Sequence, residues 1–264
     1  MSLLPGWNTL RHRLRRDLCQ RLAKRTVRLN NPTAMVSFTF DDFPRSALFG
    51  GGEILRQYGL AGTYYASFGL MGTDTPTGRI FQAADIETVI SQGHELGCHT
   101  YSHCHAWETQ ADVFEQAVIE NQQCLDRLLP GATFRTMSYP ISCARPNTKR
   151  RSGRRFACCR GAGQGFNVGN TDLNYLKAFF LEKSQGNLGE VREMIERNRV
   201  ERGWLIFATH DVTGNPTSYG CTPTLFESVV REAVQSGAVI LPVFQALQTA
   251  VSKVEAPTAM MSGS

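Results

Sequence analysis

Met35-Val36-Ser37-Phe38-Thr39-Phe40 is a short run of β-branched and aromatic residues that ends in two adjacent carboxylates, Asp41-Asp42. Such side chains fit a pleated, buried strand, and a pair of acids is expensive to half-bury, so the strand gives way to a loop there. Outward from this stretch the same unit recurs. Strands are expected over 62–67, 95–98, 133–139, 156–159, 177–181, 203–209 and 238–241, and helices over 52–58, 83–92, 111–129, 188–202 and 223–235. Strands joined through helices imply a parallel sheet. About seven or eight of them in 264 residues imply an α/β fold, a closed or distorted (β/α) barrel. In such barrels chemistry collects at the C-terminal ends of the strands.

Composition agrees with one large core. The chain is 42% hydrophobic and 19% charged, which excludes collagen, coiled coil and low-complexity classes. Its apolar runs are strand-sized, far short of the roughly 20 residues that span a bilayer. The formal charge of +5 is unevenly spread: residues 1–33 hold eight Lys/Arg against Asp17, residues 145–160 hold seven and no acid, and the remainder is acidic. That pattern fits two local anionic contacts and argues against nucleic acid as a partner. The eight cysteines match no zinc-finger spacing, and the N-terminus shows no signal-type apolar segment. Reduced thiols in a cytoplasmic setting are expected.

Leu3, Trp7, Leu10, Leu14, Leu18 and Leu22 recur at helical spacing, with arginines over much of the remaining surface. Two readings of this helix stand side by side: it lies on an anionic membrane, or it docks on the domain. The organisation expected is a basic amphipathic helix in 1–33, a catalytic domain over 34–251 and a disordered tail over 252–264.

Three clusters carry chemistry. Asp41-Asp42 closes the first strand, and either carboxylate can bind a cation while its neighbour faces substrate. Residues 94–105 hold four of the six histidines, and His99 and His103 stand at the i, i+4 spacing that aims two imidazoles at one metal ion. Two imidazoles and a carboxylate leave a coordination position open for water or substrate. The strand 203–209 delivers His210-Asp211 to its C-terminal end, where a polar pair reads as site.

Thr39-Phe40-Asp41-Asp42 and His99-Thr100-Tyr101-Ser102-His103, the latter preceded by Gly93-His94-Glu95-Leu96-Gly97, resemble the first two motifs of the polysaccharide deacetylases with a NodB homology domain, carbohydrate esterase family four. The resemblance covers about residues 34–250. It implies Asp41 as general base, Asp42, His99 and His103 as ligands of Zn2+ (or another divalent ion such as Co2+ or Mn2+), and His210 as general acid. It also implies that the Ile141 N–H stabilises the oxyanion, and that Tyr139 and Pro140 border the substrate.

Three departures bear on the substrate. Ser138-Tyr139-Pro140-Ile141-Ser142 lacks the arginine that usually opens its motif, Asp172 alone stands where an Asp-x-x-x-Trp motif is expected, and Ala208 replaces a leucine. Asp211 is expected to keep His210 charged. Arg150 and Arg154, in the cluster 145–160, are expected at the mouth of the site, holding an anionic group of the substrate. The activity expected is removal of N-acetyl groups from a glycan or lipid-linked sugar, by a protein that is cytoplasmic or peripheral on the inner membrane face. A hydrolase of another amide, as in allantoinase-like branches, and a silent glycan- or lipid-binding module are the alternatives.

Overall fold

The structure, a computed structural model, describes residues 14–141, 143–184 and 186–251. The expected tail and the stripe residues Leu3, Trp7 and Leu10 lie outside these. In chain order come α1 (14–21), β1 (Thr26–Arg28), β2 (Met35–Phe40), a π-helical turn Ala47–Gly52 that runs into α2 (Glu53–Gln57), and β3 (Thr63–Ala66). The hairpin β4 (Asp74–Thr75) and β5 (Gly78–Arg79), α3 (Ala83–Ser91), β6 (Glu95–Cys98), α4 (Ala111–Leu128), β7 (Thr136–Ser138) and α5 (Pro146–Arg155) follow. The chain continues through β8 (Cys158–Arg160), β9 (Asn170–Asp172), β10 (Phe179–Phe180), α6 (Leu188–Glu201), β11 (Trp204–Thr209), α7 (Pro223–Gln235), β12 (Val239–Ile240) and α8 (Val243–Val251).

Seven strands form one parallel sheet in the order β10-β11-β2-β3-β6-β7-β8, with β12 beside the first residues of β2 and β3 beside its last. The two ends of the sheet approach through a parallel bridge between Arg160 and Leu176, so the sheet curls into a distorted barrel. This is the fold expected from the repeated units.

Because side chains alternate along a strand, each strand has an inward and an outward set. Val36, Phe38, Phe40, Leu205 and Phe207 join the large core under the outer helices, whereas Met35, Cys158, Trp204, Ile206 and Ala208 belong to a second core. The latter is closed from below by Val243, Ala246, Leu247 and Ala250 of α8. Several polar groups beneath the site are matched. Trp204 Nε1 donates to Ser37 Oγ at 3.0 Å, and Thr63 and Thr136 both donate to the Glu95 carboxylate. The α8 end contributes as well, with the Phe244 N–H donating to Glu95 Oε2 at 2.8 Å. One step beyond the inward positions Thr39, Gly97, Thr136, Cys158 and Ala208 lie Asp41, His99, Ser138, Arg160 and His210.

The cluster 145–160 is not a loop at the cleft mouth. It folds into α5, with Pro146 in the first turn, where its missing N–H is no loss. Arg151 and Arg155 pair with Glu115 of α4 at 2.5 and 3.2 Å. Lys149 is fully buried, its Nζ donating to the carbonyls of Cys19 and Leu22 at the end of α1 and pairing with Asp172 of β9 at 2.6 Å. In return, Arg25 donates to the carbonyls of Gly153 and Phe156 at the end of α5. Each helix thus has a cation on its negative end. With β1 paired antiparallel to β9, residues 14–28 are stitched onto the barrel.

Lys149→Met leaves the Asp172 carboxylate and two helix-end carbonyls without their cation. It is expected to destabilise the fold by about 3 kcal/mol or more, a fall in Tm of roughly 6–12 °C. Thermal unfolding checks this, with Arg150→Ala, the exposed next residue, within about 0.5 kcal/mol of the parent.

Candidate active site

Asp41, Asp42, His99, His103, Ile141 and His210 all line one cleft of about 700 Å³ at the C-terminal mouth of the barrel. Asp42 is buried and turned by a left-handed backbone, φ 60°. Its Oδ2 accepts a hydrogen bond from Thr77 Oγ1 at 3.0 Å, which is the task of the β4–β5 hairpin. Its Oδ1 is buried without a hydrogen-bond partner, yet stands 3.4 Å from His99 Nε2 and 3.1 Å from His103 Nε2.

His99 Nδ1 lies 2.9 Å from the Ser138 carbonyl, to which it can only donate, so the Nε2 lone pair faces Asp42. His99 and His103 are joined by a tight loop and not by a helical turn: Thr100 and His103 are left-handed, and Thr100 Oγ1 accepts from the Cys104 N–H at 3.0 Å. Donors about 2 Å from one ion lie roughly 3.0–3.5 Å apart, so this triad fits a divalent metal. Charge agrees. Burial raises the Asp42 carboxyl, but the two imidazoles hold it well below the usual carboxylate range, and Asp42 in turn draws His103 up against burial.

Asp41 is held differently. Arg160 Nη2 donates to its Oδ1, and Ser138 Oγ donates to the same oxygen at 3.0 Å. No described residue donates to Oδ2. Burial alone pushes this carboxyl up, but Arg160, His99 and His210 together bring it below its ordinary value. Arg160 is itself buried, its guanidinium lying 5.2 Å from the Tyr65 ring centroid and 5.3 Å from that of Phe180. Gly97 makes room for this, since a Cβ there would sit 2.5 Å from Tyr65.

The arginine missing from the Ser138 motif is therefore supplied by the next strand. Sequence reading placed Arg160 in the surface cluster, because the strand was ended one residue early. Continuing the alternation from Cys158 would have found it.

His210 Nδ1 stands 3.1 Å from the Tyr219 carbonyl, and the two rings meet edge-on at 5.5 Å. Asp211 does not support it. That carboxylate points the other way, accepting from the Thr217 N–H at 2.8 Å and the Thr217 hydroxyl at 2.6 Å, and it is absent from the cleft. Adjacent residues at a strand end face opposite sides. Besides Asp41 and Asp42, the carboxylate that shares the cleft with His210 is Glu182, from the turn Leu181–Ser184. Burial raises its carboxyl, and its Oε2 has no hydrogen-bond partner. Nothing in the local sequence of Glu182 marked it.

Tyr139 forms part of the cleft wall, its hydroxyl donating to the Asn174 carbonyl at 3.1 Å. Pro140 is buried behind the wall, its carbonyl accepting from the Ala106 N–H. Arg150 and Arg154 are exposed on α5 and do not reach the cleft. Five of the eight non-glycine residues with positive φ among the described residues crowd this rim: Asp42, Phe43, Thr100, His103 and Ile141.

The family model for polysaccharide deacetylase matches residues 28–155, a stretch that holds Asp41, Asp42, His99 and His103. Just under half of the chain thus resembles the polysaccharide deacetylases. No curated protein sequence matches it. Among solved structures, the chain is similar to a family 4 acetyl xylan esterase from Clostridium thermocellum in complex with a cobalt ion. That pair is 19% identical with a TM-score of 0.56, covering 81% of this chain and 90% of that one. It is also similar to the chitin deacetylase of Colletotrichum lindemuthianum, 16% identical with a TM-score of 0.58, covering 85% and 92%. A pseudoenzyme of the same esterase family from Bacillus anthracis matches at 11% identity and a TM-score of 0.58, over 83% and 66%. These likenesses establish the fold of the chain. Its chemistry rests on the residues in the cleft.

The remaining histidines of 94–105 are structural. His105 Nδ1 accepts from the Trp107 N–H at 3.2 Å, and His94 Nδ1 accepts from the Gly62 N–H at 2.9 Å. Burial pushes His94 down to about 4. A buried neutral histidine stabilises fully above its unfolded pKa of about 6.5, and that stability is lost as pH falls toward 4. Denaturant unfolding at pH 7 and pH 5 is expected to show a loss in the parent that His94→Asn reduces.

Proposed function

We propose that this protein is a metal-dependent hydrolase that removes N-acetyl groups from a glycan or a lipid-linked sugar. The observation that carries the reading is the sharing of one cleft by a metal-fitting triad and by Asp41, whose free oxygen and fixed charge suit a general base. Asp42, His99 and His103 would hold a divalent metal, Zn2+ by preference for this donor set, which would supply polarisation of the acetyl carbonyl and a lowered pKa for bound water.

The chain's own residues do the rest. Asp41 Oδ2 takes the proton of the attacking water, while Arg160 and Ser138 on Oδ1 keep the carboxylate ionised and fix its direction. The Ile141 N–H, turned by a left-handed φ of 66° at the cleft wall, donates to the oxygen that gains charge. With Nδ1 occupied by the Tyr219 carbonyl, His210 presents Nε2 to the leaving amine and gives it a proton. Products are acetate and an amino sugar.

Release of acetate from N-acetylated oligosaccharides or lipid-linked sugars is the direct test. Chelation is expected to abolish it and Zn2+ or Co2+ to restore it. Asp41→Asn and His210→Ala are each expected to lower kcat by about 10²-fold or more with the metal retained, whereas His99→Ala/His103→Ala loses the metal. Normal turnover in both the Asp41 and His210 variants overturns the assignment.

Arg160→Lys keeps the charge but not the planar, bidentate guanidinium that reaches Asp41, Ser138 and Gly161 together. It is expected to lower kcat with little change in KM. An unchanged kcat refutes the positioning role.

A further inference from the structure

The contacts that hold α1 on the barrel leave out the side chains of Leu14 and Leu22, two members of the leucine stripe read from the sequence, while Leu18 between them is half-buried. The inward positions of α1 are Arg15 and Cys19. Arg15 pairs with Glu108 at 2.7 Å and lies over the Trp107 ring, and Cys19 is fully buried with its thiol hydrogen-bonded to Cys143. Leu14 and Leu22, on the stripe, remain 58% and 46% exposed.

Around them stand exposed cations: Arg16, Arg21 and Lys24 on this segment, Arg150 and Arg154 on the neighbouring α5. The Lys149 and Arg25 contacts hold residues 19–25 alongside 149–157, so the two segments that carry these cations lie next to each other. None of the five forms an ion pair among the described residues, whereas Arg151 and Arg155 are taken up by Glu115. Asp17 is the one acid in residues 14–33, and 145–160 has none. The sequence ahead of α1 continues in the same vein, with Trp7, Leu10, Arg11 and Arg13 and no acidic residue.

We propose that α1 and the exposed edge of α5 form a docking surface for an anionic lipid bilayer. Exposed leucines flanked by unpaired cations match the two layers of such a surface: the leucines enter the acyl boundary and the cations meet the headgroups. A nucleic acid offers no place for the leucines. It would also extend past the basic side onto a remainder that is acidic. A bilayer touches only the side presented to it.

The placement has a bearing on the cleft. Through Glu108 and Trp107, α1 rests on the loop that follows His103, and through Cys143 on the loop that follows Ile141. Docking brings the cleft mouth beside the headgroups.

Sedimentation of the full chain with vesicles tests this without reference to catalysis. Binding is expected to phosphatidylcholine vesicles carrying about one third phosphatidylglycerol, not to phosphatidylcholine alone, and to weaken with salt. Arg16/Arg21/Lys24→Gln is expected to lower the bound fraction at least tenfold, at roughly fivefold per cation. Leu14/Leu22→Ser is expected to weaken binding at unchanged net charge, and Arg192/Arg199→Gln on α6 to leave it as in the parent. All these positions are exposed, and equal thermal midpoints confirm intact folds. The proposal is overturned if the parent does not sediment or if the α6 variant loses as much as the α1 variant. It is equally overturned if the leucine variant binds as the parent does while the cation variant loses affinity for DNA, which would make the surface a polyanion site.

Discussion

The buried ion pair between Arg160 and Asp41 orders the centre of this molecule. Two ions out of water are costly unless geometry and extra hydrogen bonds compensate, and here both do. The guanidinium lies between the Tyr65 and Phe180 rings and reaches the Asp41 carboxylate, the Ser138 hydroxyl and the Gly161 carbonyl. Those partners come from β3 and β10, from the residue after β2, and from the ends of β7 and β8. The pair therefore fixes how far the barrel closes as well as the direction of one carboxylate.

Much of the site was legible in the sequence because its signals are dense and local. Asp41-Asp42 and the His99–His103 spacing sit at strand ends whose hydrophobic runs are unambiguous. What was not legible depended on side-chain direction or on distant pairing. Asp211 looked like a partner of His210 by adjacency, yet alternation at a strand end turns it to Thr217. Arg160 looked like one cation among seven until the strand reached it. Three-residue strands such as β1 and β9, paired across about 145 positions, carry no periodicity to read, and α8 follows the strand expected over 238–241 in a stretch to which no element was assigned. Fold-level signals survive such losses because many strands repeat them.

The basic residues show how one composition serves several physical ends. Of the seven cations in 145–160, Lys149 and Arg160 are buried and ordered by carbonyls and carboxylates, while Arg151 and Arg155 bind a neighbouring helix. Charge counting treats these as equivalent. Burial and partner choice separate them, and only the exposed, unpaired members remain available to another molecule.

The cluster of left-handed backbones around the cleft has a thermal consequence. Asp42 and His103, two members of the triad, and Ile141, a β-branched residue, hold conformations that cost about 1–3 kcal/mol each outside glycine. The barrel strands beneath them are regular and carry no such strain. On warming, the rim loops have less free energy to lose before they relax, and relaxation there separates the donor atoms while the sheet is still intact. Heat should therefore undo the geometry of the cleft before the circular dichroism changes, with the cooperative melt of the barrel a later and separate event.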